Sequence, residues 1–384
     1  MLSAHQIEEY KTNGFLVVRD LVDSHTIDHL LKTLKRHPPL DGVVPGKYPA
    51  PGRYTLATQC LGDPDLALIA EHPTIIEIAK ALLEDDPVLT AFVMYDRTPG
   101  GPPIPMHHDY KRWRPVGSSM NWLFAIVPLD DFDENKGQLF VAPGSHRLER
   151  VVDTGEPVLN VHAAIRPSED SFVDPELRRG DLCIMNMHCW HKAARNSSTE
   201  SRRGFFSKYA GRHYPPATGY YQYNEASYQA LSDSSKTLLA VHSDLPMEGV
   251  RLLLQNQDRF LTVEGELPLG PTYHERAIPD WDLGNFVAAT HAVAREQLKL
   301  ETPWLSYIDD LEEDQSLTRV YGYEMNANGF PVPHQGEWLT VDDIRDRNNG
   351  DTDMTKAIQK WLDPTIRRGK AVTQAQARVD QFAY

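Results

Sequence analysis

Residues 180–203 read Gly180-Asp181-Leu182-Cys183-Ile184-Met185-Asn186-Met187-His188-Cys189-Trp190-His191-Lys192-Ala193-Ala194-Arg195-Asn196-Ser197-Ser198-Thr199-Glu200-Ser201-Arg202-Arg203. Gly180-Asp181 is a turn that enters a short apolar run over 181–187, the length and texture of a buried strand. Asn196-Ser197-Ser198-Thr199 lies between two apolar runs and carries turn chemistry, because short polar side chains bond their own backbone. Arg202 therefore opens a strand that runs back beside the one before it. Further runs over 88–95, 122–129, 137–142 and 203–210, separated by Gly and Pro, share this texture and predict an all-β sandwich or barrel.

Ahead of this block the periodicity is helical. Ser3 with Gln6 fits a capping box for a helix over 3–13 closed by Gly14. Phe15-Leu16-Val17-Val18 is strand-like. Ile27, Leu30, Leu31 and Leu34 give a helix from Ser24 that Pro38-Pro39 stops, and Ile76, Ile78, Ala79 and Leu82-Leu83 give one over 73–84. Residues 39–65 are rich in Pro and Gly and read as loop. Helices first and strands after argue for segregated layers rather than a βαβ chain. Beyond residue 215 the segments 225–241, 282–299 and 352–363 look helical. The expectation is two parts: a β core over 1–215, and a mostly helical extension over 216–384 packed on it, covering the site mouth or forming a homodimer contact.

The chain has 384 residues, 41% hydrophobic and 24% charged, enough to bury a sizeable core. Its 54 acidic and 39 basic residues give a net charge of -15, which disfavours nucleic acid and anionic membranes as partners. Cys60, Cys183 and Cys189 are too few and too odd for a disulfide framework. The first residues carry no basic segment followed by an apolar run, and no stretch is apolar for the length of a membrane span. A cytoplasmic protein is expected.

His107-His108-Asp109 carries the first chemistry. Residues two apart on a strand share a face, so His107 and Asp109 can converge. An imidazole nitrogen and a carboxylate oxygen suit a divalent metal, and a distant His completes the 2-His-1-carboxylate facial triad of non-haem iron(II) oxygenases. By itself this pair is an easy accident among sixteen histidines. His191, ten residues after Asp181, is a candidate for the third ligand. Arg202, eleven residues further on, could grip a carboxylate with two parallel hydrogen bonds, such as the distal carboxylate of 2-oxoglutarate.

The ordered set resembles the phytanoyl-CoA dioxygenase-like branch of the iron(II)/2-oxoglutarate oxygenases over roughly residues 5 to 215. The matching pieces are Tyr10 to Val18, His107-x-Asp109, Leu129-Asp130-Asp131 through Asn135-Lys136-Gly137-Gln138-Leu139, Pro143-Gly144-Ser145-His146-Arg147, Gly180-Asp181, His191, Asn196 and Arg202. The resemblance implies a mainly β fold with flanking helices, a double-stranded β-helix (jelly roll, cupin-like). It implies that His107, Asp109 and His191 bind Fe(II), that Arg202 binds 2-oxoglutarate, and that O2 is the co-substrate. The implied reaction oxidises, by hydroxylation above all, an unactivated C–H bond of a small-molecule metabolite or natural-product intermediate, releasing succinate and CO2. Related halogenases lack the carboxylate ligand, so Asp109 argues against halogenation. The chain departs from the family pattern at His108, Ala193 and Ile126.

Other readings compete locally. His188 stands three residues before His191 but lacks its spacing to Asp181 and Arg202. His108 reads as a core or surface histidine, His146 as a residue satisfying backbone groups, and Cys183 and Cys189 as buried thiols. Lys111-Arg112-Trp113-Arg114 reads as a solvated loop or as a clamp for an anionic substrate, and Lys208 shares strand parity with Arg202. Two other functions use the same residues: a zinc hydrolase on the same triad, which has no use for Arg202, and a non-catalytic binding protein on the same fold.

Overall fold

The alternation of side chains along Trp122–Pro128 sets the layers. All seven residues are buried, yet Leu123, Ala125 and Val127 belong to one apolar cluster, and Trp122, Phe124 and Ile126 to another. A strand with both faces buried needs a layer on each side. The structure is a computed structural model that describes residues 2–37, 53–56, 61, 63–108, 122–147, 166–220, 228–229, 231–240, 245, 247–270, 284–313, 315–325 and 331–371.

In chain order the first half contains α1 (Ala4–Asn13), β1 (Phe15–Val18), α2 (Ser24–Leu34), β2 (Arg53–Leu56), α3 (Pro64–Ala67), α4 (Pro73–Leu83), β3 (Pro87–Arg97), β4 (Ile104–His107), β5 (Trp122–Pro128), β6 (Leu139–Val141), β7 (Leu182–Asn186), β8 (His191–Ala193) and β9 (Arg202–Gly211). A six-stranded antiparallel sheet runs β1-β7-β5-β9-β3-β2, and a three-stranded antiparallel sheet runs β4-β8-β6. Two facing antiparallel sheets of this kind are the jelly-roll arrangement.

The helices cover the outer face of the large sheet. Ile27, Leu30, Ile75, Ile78 and Leu82 pack with Leu89, Phe92, Leu123, Val127, Phe205 and Tyr209. In α4 it is Ile75 that is fully buried, while Ile76 is only partly so. The capping box of Ser3 and Gln6 forms, and Gly14 closes α1 with φ of 79°. A Cβ there would stand 2.3 Å from His146 Nδ1, so glycine is required by space as well as by φ. Residues 39–65, expected as loop, include β2 on the edge of the large sheet; Pro38-Pro39 lies outside the described residues.

The second half contains α5 (Asp233–Thr237), β10 (Met247–Asn256), β11 (Arg259–Thr262), α6 (Gly284–Ala292, continued as a π-helix over Val293–Leu298), β12 (Ser306–Glu313), β13 (Ser316–Glu324), β14 (Glu337–Thr340), α7 (Val341–Arg347) and α8 (Asp353–Leu362). The helices expected over 282–299 and 352–363 are present, whereas the one expected over 225–241 is represented among the described residues by the five-residue α5. Between them lies a five-stranded sheet, β12-β13-β10-β11-β14, which the expectation of a mostly helical extension did not include. The β10–β13 pair is parallel and the other pairs are antiparallel. Its cue is the run Val250-Arg251-Leu252-Leu253-Leu254, apolar enough to be buried on both faces. Val250, Leu252 and Leu254 meet α6, and Leu253 meets Ile344, Met354 and Ile358 of α7 and α8.

The two halves share a core. Val88, Ala91 and Val93 of β3 join the apolar cluster of Val250, Leu252, Phe286 and Tyr307. Directly paired residues share a face, and Ala91 opposes Lys208 while Val93 opposes Phe206. The second half therefore covers part of the inner face of the large sheet, beside the small one.

Candidate active site

His107 ends β4 and His191 begins β8, and the two are direct cross-strand partners. Their ring centroids lie 4.2 Å apart. His107 Nδ1 sits 2.8 Å from the Pro105 carbonyl oxygen, and His191 Nδ1 sits 3.0 Å from that of Cys189. An Nδ1 facing a carbonyl carries the proton, which leaves the lone pair on Nε2; this is the usual second contact of a metal-binding imidazole. His191 is 9% exposed and meets Phe124 of the large sheet edge-on, so it faces the interior between the sheets, while His107 is half-buried beside it.

The donor chemistry fits a divalent metal, since two imidazoles converge whose Nδ1 atoms each face a backbone carbonyl. Asp109, the third expected ligand, lies outside the described residues, as do Lys111, Arg112, Trp113 and Arg114. Among the described residues no three His, Cys, Asp or Glu side chains come together as a ligand set.

The turn before His191 is braced from a distance. Ser145 Oγ accepts a hydrogen bond from the Trp190 N–H at 2.9 Å and donates to the Ala142 carbonyl at 2.6 Å. The Pro143-Gly144-Ser145-His146-Arg147 segment thus holds the residue next to a ligand position. His146 Nε2 lies 3.3 Å from the Lys11 carbonyl oxygen at the end of α1. His108 is buried edge-on against Trp190, away from His107. His188 sits in the turn between β7 and β8, where its N–H donates to Asn186 Oδ1. Cys183 and Cys189 are buried free thiols, and burial pushes Cys189 up to about 12 and Cys183 higher still.

Arg202 opens β9 on the inner face of the large sheet. Asn196 builds the turn that delivers it: the amide is fully buried and donates to the carbonyls of Arg97 and Glu200 at 2.7 and 2.8 Å. The Arg202 guanidinium is 4% exposed, lies 3.9 Å over the Phe132 ring and donates to the Gly137 carbonyl at 3.0 Å. Gly137 precedes β6, whose Val141 opposes His191, so Arg202 reaches the strand beside the histidine pair. Its Nε is buried without an acceptor, and among the described residues no carboxylate stands within ion-pair distance. Burial, then the nearby charge of Arg97, pushes the guanidinium down to about 9, which still leaves it charged at neutral pH. A charged buried donor without an anion is costly, and one arriving carboxylate removes the cost.

Sequence reasoning missed Arg97. It opposes Arg202 across β3–β9, is buried, and donates to the carbonyls of Pro102 and Ala194. It ties the turn into β4 to the end of β8, and so holds the strands of both histidines. Its only signal was an arginine ending an apolar run. Asp181 is structural: it accepts from Arg19, Asp20 and Arg178 and pins the turn to the N-terminal strand. Lys208 is buried on the inner face with its ammonium 4.9 Å from the Phe124 ring. Ile126 lines the same interior cluster, and Ala193 closes β8 opposite Leu139.

Among the described residues no helix is long and apolar enough to cross a membrane. The model of the phytanoyl-CoA dioxygenase family matches residues 10–204. The dioxygenase andF of Emericella variicolor is 29% identical over 147 residues, 37% of this chain and 47% of that protein. The dioxygenase af480 of Aspergillus fumigatus is 24% identical over 173 residues, 44% of this chain and 53% of that protein. The chain thus spans about half the length of the curated relatives it matches. Among solved structures, that of the epimerase SnoN with Fe3+, alpha ketoglutarate and nogalamycin RO is 23% identical with a TM-score of 0.45, over 54% of this chain and 82% of that one. The matched segment holds more than half of the chain, including His107, Asp109, His191 and Arg202, and the chain belongs to the phytanoyl-CoA dioxygenase family.

Proposed function

We propose that the chain is an iron(II)- and 2-oxoglutarate-dependent dioxygenase that oxidises a C–H bond of a small-molecule metabolite, with succinate and CO2 as co-products. The observation that carries this reading is the cross-strand His107–His191 pair together with a buried Arg202 guanidinium that meets no carboxylate among the described residues. The family membership and the dioxygenases among its relatives support it.

His107, His191 and Asp109 would hold the iron. Bound iron, with 2-oxoglutarate and O2, supplies an oxidant able to attack an unactivated C–H bond. The side chains supply position and exclusion. Arg202 binds the distal carboxylate of 2-oxoglutarate, and Phe132 and Gly137 fix the plane of the guanidinium. Phe124, Ile126 and Phe206 form an apolar inner wall that keeps water from the reacting centre. Arg97 holds the two strands in register as a positioning residue.

The test is succinate release by the purified chain under air, with a panel of natural-product intermediates. Release that needs both iron(II) and 2-oxoglutarate and falls at least a hundredfold in His191→Ala supports the reading. Turnover that persists without 2-oxoglutarate, with zinc in place of iron, contradicts it.

A further inference from the structure

The carboxyl ends of β10 and β13, the parallel pair of the second half, open into a cleft of about 360 Å3. Gln255 and Glu324 stand opposite each other at those ends, and Trp304, Trp361, Arg368 and Lys370 complete the walls.

The two cations are held in place. Ser306 Oγ donates to the Gly369 carbonyl at 2.7 Å, and the Leu305 N–H donates to that of Ala371 at 2.9 Å. The extended segment carrying Arg368 and Lys370 is thereby pinned to the start of β12, and residues two apart on it share a side. The Lys370 ammonium lies 4.2 Å from the Trp304 ring, which steadies the charge without neutralising it. Arg368 caps α8 by donating to the carbonyls of Lys360 and Trp361. Capping leaves its Nε buried with no acceptor, and burial pushes the guanidinium down to about 10. Among the described residues neither cation has an ion-pair partner, in a chain with 54 acidic residues. Glu324 lines the cleft but stands beyond ion-pair reach of both.

We infer that this cleft is a second binding site, for a small molecule that carries a carboxylate or phosphate on an aromatic body. The anion meets Arg368 and Lys370, the ring lies against the Trp304 and Trp361 walls, and Glu324 accepts from its polar hydrogens. The Gln255 amide accepts from the Trp361 indole N–H at 2.6 Å and donates to the Gln257 carbonyl at 2.8 Å, which fixes the Trp361 wall. The site is separate from the histidine pair and does not depend on the oxygenase reading.

The test is titration calorimetry on the full chain with phenyl phosphate, phenylacetate and inorganic phosphate. At least one aromatic anion should bind saturably and at least tenfold tighter than inorganic phosphate. Lys370→Met should weaken it at least tenfold and Lys370→Glu further, while His191→Ala leaves it unchanged. Lys370 is a half-buried side chain with no hydrogen bond to lose among the described residues, and far-ultraviolet circular dichroism checks that both variants fold. The two aromatic probes separate a phosphate site from a carboxylate site. No saturable binding, equal affinity for inorganic phosphate, affinity unmoved in Lys370→Glu, or loss of binding in His191→Ala overturns the inference.

Discussion

Each half of the molecule buries an arginine, and the two are finished differently. Arg319 of β13 is 0% exposed and meets Asp310 through two hydrogen bonds of 2.7 and 2.9 Å. It also donates to the carbonyls of Thr218 and Tyr220. Burial alone would lower its pKa, but the charge and hydrogen bonds of Asp310 outweigh that and hold it above the ordinary value. Gly219 makes room: a Cβ there, at φ of 94°, would come within 2.7 Å of Arg319 Nη1. Among the described residues Arg202 has no such carboxylate within ion-pair distance, and its pKa moves the other way. The first guanidinium is closed by the protein and locks the linker 217–220 onto the second sheet. The second is left open, which is the state expected of a residue whose partner arrives as a ligand.

The comparison breaks first at Arg319. Asp310→Ala leaves a buried charge unpaired and should destabilise the chain by about 3–5 kcal/mol, read from urea unfolding. A loss below about 1 kcal/mol would mean that the pair is dispensable. At Arg202 the signature lies in the ligand. In the presence of iron(II), 2-oxoglutarate at a hundredfold its Kd should raise unfolding free energy by about 2.7 kcal/mol in the wild type. Arg202→Met should keep the unliganded stability within about 1 kcal/mol and lose that increment at the same concentration.

The polar neighbours of the open site give a smaller, pH-dependent effect. Burial raises Asp96 to about 6, with Ser201 opposing. The folded chain then keeps a proton that the unfolded chain releases near 4, so this contribution to stability falls as pH rises from about 4 to about 6. Asp96→Asn should match the wild type near pH 4 and exceed it by on the order of 2 kcal/mol at pH 7. A difference independent of pH would reject the raised value. The smallest effect belongs to Arg203 and Asp130, a partly exposed pair with contacts of 2.8 and 2.9 Å. A double-mutant cycle should give about 0.2–1 kcal/mol, decreasing with salt.

The first half was legible because its signals are local. The capping box at Ser3 and the turn at Asn196 each lie within a few residues. The strand that Arg202 opens does not run back beside the one before it, as the turn suggested: β8 pairs β4 and β6 in the small sheet, while β9 crosses to the large sheet and pairs β3 and β5. The small sheet then brings His107 opposite His191 from a strand some eighty residues earlier in the chain. Arg97 was not legible, because its role rests on carbonyls contributed by Pro102 and Ala194, which no spacing announces. The sheet of the second half was missed for a similar reason. β10 pairs with β13 some seventy residues later, and Asp309, Asp310, Glu312 and Glu313 dilute the strand pattern of β12. The pairing is long-range, and the acidic residues make the segment look like surface.

We propose that His107, Asp109 and His191 make an iron site and that Arg202 fixes 2-oxoglutarate beside it. Anaerobic titration of the purified chain with iron(II) and then 2-oxoglutarate, followed by visible absorption, tests it most directly. The account predicts a metal-to-ligand charge-transfer band that saturates, is absent in His191→Ala, and needs far more 2-oxoglutarate in Arg202→Met. A well-folded wild-type chain that develops no band would contradict it.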